Sequence, residues 1–268
     1  MTVSLAHLTF VDTPPPDLVT IAADAGFEAV GLRLEPARDD EQPWPVIGPT
    51  AMRRELDARL RASGLAVLDV EVVRLTATVD IDAYLPFFEA AAELGARFAV
   101  VSGFDDDEPR LIHRFGELCA LAAPFGVRPM LEPMAYSAVR SVPQAARVVR
   151  AAGAGGVLID ALHMRRIDAT IADVQALQPE LLDYVQLSDA PYDAPPGGLE
   201  TTIDESRHGR LVPGDGELPL GALLDATPPG APVSVEAPSD ALREQLGPLG
   251  HARRLRTATT DLLLAARA

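Results

Sequence analysis

Four polar residues end successive apolar runs in the second half of the chain and could together hold a metal ion. Leu131 is followed by Glu132 and then by a helix-breaking proline, and three later apolar runs also end on a polar residue. The residues at these ends are Glu132, Asp160, Gln186 and Glu236. Their carboxylate and amide oxygens are the donors that hard divalent cations prefer, which favours Mg²⁺ or Mn²⁺ over zinc.

Alternating strand and helix patterns must position these residues. Apolar runs such as 98–102 and 232–236 predict strands, and the segments 80–95 and 240–266 predict helices. Eight strand–helix units can be drawn along the chain, and no Gly-rich dinucleotide-binding fingerprint follows any strand. The pattern therefore predicts an α/β fold, a (β/α)8 TIM barrel, formed by residues 1–268 as a single domain.

A closed parallel barrel would bring the four strand ends to one mouth. Glu132, Asp160 and Glu236 would then repel one another unless a cation neutralised them, so the sequence predicts a divalent-metal site. His163 follows Asp160 by three residues and would lie on the same side of a helical turn, where we expect it to hydrogen-bond a substrate oxygen. The alternative is that these residues are ordinary polar strand ends facing solvent.

Residues 189–213 are predicted to form a long loop without secondary structure of its own, rich in proline and glycine. Loops of this length are usually functional or disordered, and this one carries Arg207, His208 and Arg210. These three are candidate substrate-binding residues, because a guanidinium binds a carboxylate or phosphate through two parallel hydrogen bonds. Solvated arginines on a long loop are the alternative interpretation.

Other titratable residues are assigned by their place in the predicted elements. His7, Arg33 and Glu71 lie on early strands and could point into the barrel mouth. His113 and His251 lie on predicted helices away from the mouth, so both are expected at the surface.

Composition excludes several classes of protein. A net charge of −16 disfavours nucleic-acid binding, because a phosphodiester backbone would be repelled. All 23 basic residues are arginine, which excludes Schiff-base, pyridoxal-phosphate and Walker-type chemistry that needs a lysine. No apolar run reaches the roughly 18–20 residues of a membrane span. The N-terminal segment lacks a signal-peptide pattern, so a cytoplasmic location is expected.

The order of these motifs resembles that of the xylose-isomerase-like sugar phosphate isomerase/epimerase superfamily. The motifs are Glu132-Pro133, Asp160-x-x-His163, Gln186-x-x-Asp189, the segment from Arg207 to Pro213-Gly-Asp-Gly-Glu217, and Glu236. The resemblance implies a TIM barrel that binds Mn²⁺ or Mg²⁺ through Glu132, Asp160, Gln186 and Glu236. It also implies that His163 and Arg210 touch a small polyhydroxylated substrate, and that Glu132 and Glu236 act as acid and base on opposite faces of an enediolate.

The position of Gln186 departs from the pattern of many sugar epimerases, which have histidine there. Glutamine followed by Ser-Asp-Ala-Pro is similar to the 3-dehydroshikimate dehydratases of the same superfamily, which remove a proton next to a carbonyl and then expel hydroxide. A dehydratase or lyase is therefore one alternative to an isomerase or epimerase. Because barrels of this kind often pair, a homodimer could form.

Two further alternatives belong to other classes of protein. The related AP-endonuclease branch needs a histidine-rich multi-zinc site and a basic face, and five scattered histidines with a net charge of −16 speak against it. The second alternative is a barrel that binds metal without catalysing a reaction. The presence of both Glu132 and Glu236 argues against this alternative.

Overall fold

A ring of parallel strands alternating with helices forms the centre of the protein. The structure is a computed structural model that describes residues 1–38 and 41–266. Within these ranges it has nine parallel strands: β1 (Val3–Leu5), β2 (Ala29–Arg33), β3 (Ala66–Thr76), β4 (Phe98–Phe104), β5 (Arg128–Glu132), β6 (Gly156–Val157), β7 (Ile159–Asp160), β8 (Val185–Leu187) and β9 (Val233–Val235).

The helices lie between the strands along the chain. They are α1 (Pro15–Ala25), α2 (Ala51–Ser63), α3 (Leu85–Glu93), α4 (Glu108–Ala122), α5 (Val142–Ala152), α6 (Ala161–Arg166), α7 (Ile171–Gln175), α8 (Leu199–His208), α9 (Leu220–Ala226) and α10 (Asp240–Ala265). Several ends follow from local sequence. Thr50, for example, caps α2 by accepting a hydrogen bond from the amide of Arg53, and Gly64 ends that helix with a left-handed backbone.

The strands follow one another around a nearly closed barrel in the order β6-β5-β4-β3-β2-β1-β9-β8-β7. Only Leu158 separates β6 from β7, so the two short strands are halves of one sixth strand. The amide of Leu158 donates to the carbonyl of Leu131 at 3.0 Å, which continues the pairing with β5 across the break. The predicted TIM barrel is thereby confirmed.

Two apolar cores lie on opposite faces of the strands. The larger one packs the helices against the outside of the barrel, and Val233 and Val235 of β9 belong to it. The smaller one fills the barrel interior with Ala29, Leu68, Val72, Phe98, Val100, Met130, Leu158 and Tyr184. Because side chains alternate along a strand, Ser234, Gln186 and Asp160 face the barrel interior, above the smaller apolar core. These three polar side chains therefore lie towards the carboxyl end of the barrel.

Two predictions about single segments are wrong. Residues 189–213 are not a loop without secondary structure, because α8 forms inside them. His251 is not at the surface: it is fully buried on α10, with its ring edge-to-face against Phe10 at 5.2 Å between centroids. Helix α10 is kinked at Gly247, ahead of Pro248. Among the described residues, no helix is long and apolar enough to cross a membrane.

Candidate active site at the carboxyl end of the barrel

The four predicted metal ligands lie at the carboxyl ends of neighbouring strands. Glu132 ends β5, Asp160 ends β7, Gln186 is on β8 and Glu236 directly follows β9. All four side chains are buried. Asp160 pairs with Gln186 in the strand register, and the Gln186 amide donates to Glu236 Oε1 at 3.0 Å. The sheet therefore brings together residues that lie far apart in the sequence.

Arg210 lies between two of these carboxylates and is fully buried. Its guanidinium is 2.7 Å from Asp160 Oδ2 and 2.9 Å from Glu236 Oε2. It also donates to the backbone carbonyls of Ser206 at 2.7 Å and Glu236 at 3.1 Å. We predicted Arg210 as a substrate-binding residue, but in the structure its guanidinium forms ion pairs with the strand-end carboxylates of Asp160 and Glu236.

The carboxyl groups of the site have different proton affinities. Burial, with repulsion from Glu236 and Asp160, raises the pKa of Glu132 well above its usual value. Burial also raises the pKa of Glu236, to about 7, although Arg210 opposes the shift. For Asp160 burial acts in the same direction, but Arg210 and His163 outweigh it and the pKa is lowered. The site therefore combines an aspartate whose ionised form is favoured with two glutamates whose protonated forms are favoured relative to a free glutamate.

The donor atoms fit a divalent cation in their chemistry, although they do not form a compact cage. In residues 1–38 and 41–266, no group of three or more His, Cys, Asp or Glu side chains is disposed to hold a metal ion. Arg210 instead pairs with both Asp160 and Glu236. Gln186 Oε1 is buried without a hydrogen-bond partner in the described part of the chain. A hard cation would satisfy this oxygen and oppose both the burial and the repulsion that raise the pKa of Glu132.

A cavity of about 280 Å³ opens above these residues. Glu132, Glu236 and His163 contribute to its lining, whereas Asp160 and Gln186 lie almost fully buried below. The remaining lining residues are Leu8, Arg33, Ala37, Arg38, Glu71, Val72, Arg74, Val100, Ser102, Phe104, Met134, Tyr136, Ile203 and Arg207. The two glutamates proposed for proton transfer therefore face the same small chamber.

His163 is held beside Glu132 by two neighbours. Its backbone amide donates to Asp160 Oδ1 at 2.8 Å, and its Nε2 is 3.2 Å from the Tyr136 hydroxyl. Glu132 Oε1 is 3.9 Å from the same nitrogen. Burial lowers the pKa of His163 to about 4, so the ring is neutral at pH 7. Burial raises the pKa of Tyr136 to about 12, so its phenol keeps a proton to donate.

The predicted basic residues of the segment 189–213 separate in the structure. Arg207 lines the cavity. His208 does not reach it: its side chain is 53% exposed, and its Nδ1 is 3.3 Å from Asp240 Oδ2 on α10. We therefore leave His208 out of the proposed substrate site.

The early strands also supply residues to the cavity. Arg33 and Glu71 both line the cavity. Arg33 Nη2 lies 2.5 Å from Glu71 Oε2, so the two side chains form an ion pair. His7 lies below, fully buried, and its Nδ1 accepts a hydrogen bond from the Arg33 amide at 2.8 Å.

Sequence analysis missed two residues of this site. Tyr136 follows Glu132 by four residues, a position that a search after the Glu-Pro motif could have found. Glu41 forms ion pairs with Arg33 and Arg207 of the cavity lining. It comes from the proline-rich segment between β2 and α2, and no sequence pattern marks it.

The chain belongs to the family of xylose isomerase-like TIM barrels, because residues 19–257 match that family's model. The resemblance carried by the sequence motifs is thus confirmed. No curated protein sequence matches the chain.

Several solved structures share the fold. An IolI protein with a bound zinc atom superimposes with a TM-score of 0.80 and 18% identity over 99% of both chains. A fusion of a xylose isomerase-like TIM barrel with a 4-hydroxyphenylpyruvate dioxygenase gives a TM-score of 0.80 and 22% identity, covering 100% of this chain and 43% of the fusion. The D-allulose 3-epimerase of Methylomonas sp., in complex with D-allulose, gives 0.71 and 13% over 99% of this chain and 97% of the epimerase. At these identities the likeness establishes the fold alone.

Proposed function

We propose that the protein is a divalent-metal-dependent enzyme that isomerises or epimerises a small polyhydroxylated keto compound. The observation that carries the proposal is the pair of buried glutamates, Glu132 and Glu236, which face one cavity with raised pKa values. A base is most effective when its pKa lies near the working pH, and the pKa of Glu236 is about 7.

Glu236 and Glu132 would divide the proton transfers between them. Glu236 would take a proton from the carbon next to the substrate carbonyl, and Glu132 would act as the acid that returns one. Neutral His163, with its ring placed by Tyr136, hydrogen-bonds a substrate oxygen. Each of these steps uses a group that lines the cavity.

The cation would be held by Glu132, Asp160, Gln186 and Glu236. When bound, it polarises substrate oxygens and lowers the cost of the negative charge that proton removal creates. Mn²⁺ or Mg²⁺ is proposed because all four donors are oxygens. The zinc atom of the IolI structure and the D-allulose in the epimerase structure support a metal-dependent sugar-type reaction for this barrel.

A dehydratase or lyase is the second candidate. The same Glu236 would remove the proton, and the substrate would then lose hydroxide. Gln186 favours it, because the similarity to 3-dehydroshikimate dehydratases lies at this residue. The first half of the reaction is common to both candidates, so only the product distinguishes them.

Proton exchange in deuterated water tests the proposal. The protein is incubated with Mn²⁺ and a panel of ketohexoses, inososes and 3-dehydroshikimate, and products are followed by NMR and mass spectrometry. Deuterium incorporation without loss of water supports the isomerase, and loss of water supports the dehydratase. If no compound exchanges a carbon-bound proton, the non-catalytic barrel is favoured instead.

Substitution of the glutamates tests their roles. Glu236→Gln and Glu132→Gln are expected to lower the exchange rate about 10²- to 10⁴-fold, the usual contribution of a positioned acid or base. Glu117→Gln on α4, which also removes one negative charge but is 39% exposed, serves as the control. Metal content is measured on the same variants, because an unchanged content would show that the proposed ligand set is wrong.

A further inference from the structure

One carboxylate joins two arginines from different elements at the rim of the cavity. Glu41 Oε2 is 2.7 Å from Arg33 Nη1 at the end of β2, and Glu41 Oε1 is 2.5 Å from Arg207 Nη2 on α8. Each oxygen of the carboxylate thus serves one guanidinium. The side chains of Arg33 and Glu41 are 6% and 9% exposed, so the arrangement is largely shielded from solvent.

Both arginines belong to the lining of the cavity, together with Glu132, His163 and Glu236. Arg33 is also paired with Glu71 at 2.5 Å. Two arginines and two carboxylates make this group neutral as it stands. If Glu41 leaves, the remaining three side chains carry one net positive charge, which a single carboxylate of a ligand would balance.

We propose that Arg33 and Arg207 form a carboxylate-binding subsite, and that Glu41 occupies it until a substrate with its own carboxylate takes that place. The preferred substrate would then be a polyhydroxylated keto acid rather than a neutral sugar. The inference rests on the proposed function for what happens at Glu132 and Glu236, but the subsite itself is a matter of binding alone.

The alternative is that Glu41 has a purely structural role and holds the segment between β2 and α2 against α8. The amide of Ala37 also donates to Glu41 Oε2 at 2.8 Å, so the carboxylate does order its own segment. The two roles predict opposite results when the carboxylate is removed. A purely structural contact predicts no gain in acid binding that depends on the Arg207 guanidinium, whereas an internal competitor predicts such a gain.

Titration calorimetry with D-gluconate and D-glucitol distinguishes these roles, because gluconate carries a carboxylate where glucitol carries a hydroxymethyl group. Glu41→Ala should bind gluconate about tenfold more tightly than the parent if Glu41 fills the subsite nine-tenths of the time. Glucitol affinity should not change. Glu55→Ala is the matched control, because it removes an exposed carboxylate that is paired with Arg59 on α2, away from the cavity.

The double variant Glu41→Ala/Arg207→Gln should lose the gain in gluconate affinity, which ties the effect to the second arginine. The proposal is overturned if Glu41→Ala binds gluconate no better than the parent, does not bind it measurably, or gains equally for glucitol. Thermal unfolding of each variant shows whether it is folded. None of these measurements needs turnover, so failure of the subsite and failure of the proposed reaction are separate outcomes.

Discussion

Replacing Arg210 by methionine should destabilise the protein strongly, although the residue is not expected to be a proton-transfer group. Methionine keeps most of the side-chain volume but removes the guanidinium that contacts Asp160 and Glu236. Both carboxylates would remain buried without their cation. Removing one partner of a buried ion pair costs about 3–5 kcal/mol of the free energy of unfolding.

The melting temperature is the direct assay. For a chain of this size each kcal/mol corresponds to roughly 2 °C, so a fall of about 6–10 °C is expected in circular dichroism melts. Arg254→Met is the control, because its ion pair with Asp215 is about half exposed on both sides and should contribute less than about 1 kcal/mol. If the two variants melt within about 2 °C of each other, Arg210 does not neutralise the strand-end carboxylates and the charge argument is wrong.

The loss of stability in Arg210→Met should depend on both the pH and the presence of a divalent metal ion. Without the guanidinium, the pKa of Glu236 rises further above its unfolded value, and the pKa of Asp160 loses the main interaction that lowers it, so that burial raises it. The stability of the variant is then retained at low pH, where both groups are protonated, and is lost as the pH rises through the raised pKa values. The deficit should therefore be larger at pH 8 than at pH 5.5. Mn²⁺ should raise the melting temperature of the variant more than that of the parent, because the cation takes over the neutralising charge.

Three further predictions concern other parts of the molecule. Burial lowers the pKa of His251 to about 4, so the stability that the neutral ring contributes is fully present above its unfolded pKa and is lost as the pH falls towards 4. In urea unfolding, the free energy of unfolding of His251→Leu relative to the parent should therefore be roughly 2 kcal/mol higher at pH 5 than at pH 7.5. Gly216→Ala should destabilise by about 1–3 kcal/mol, because its Cβ would lie 2.6 Å from the Ala190 carbonyl. Gly221→Ala should instead stabilise the protein by about 0.5–1 kcal/mol, because no atom lies near the new Cβ in α9. If the two glycine variants shift the melting temperature equally, both glycine predictions are wrong. Tyr136→Phe should lower proton exchange roughly tenfold without changing the melting temperature by more than about 2 °C, and full activity would show that the phenol does not position His163.

The positions of the site residues could be predicted wherever strand geometry alone determines them. Glu132, Asp160, Gln186 and Glu236 each end or follow an apolar run, and parallel strands in a barrel must bring those ends together. The periodicity of apolar residues was sufficient for this conclusion. The family resemblance drew on the same positions, and the match over residues 19–257 confirms it.

Helix α8 could not be predicted from its own residues. Leu199–His208 carries few apolar side chains and follows two prolines and two glycines, so its sequence favours a loop. Tertiary contacts stabilise it instead: Glu205 on α8 receives two hydrogen bonds of 2.7 Å from Arg166 on α6. A short helix in isolation is marginal, and packing against a neighbour supplies the missing stability.

The sequence by itself determined the barrel, the strand-end donors and the exclusion of lysine chemistry, because each depends on local pattern or on composition. Only the tertiary structure decided how the charges pair. Arg210 lies 50 residues from Asp160 and Arg207 lies 166 residues from Glu41, and no periodicity links such positions. Burial and distance in the folded chain set both the pairing and the pKa of Glu236, because desolvation and Coulomb interactions exist only once the chain has brought the groups together.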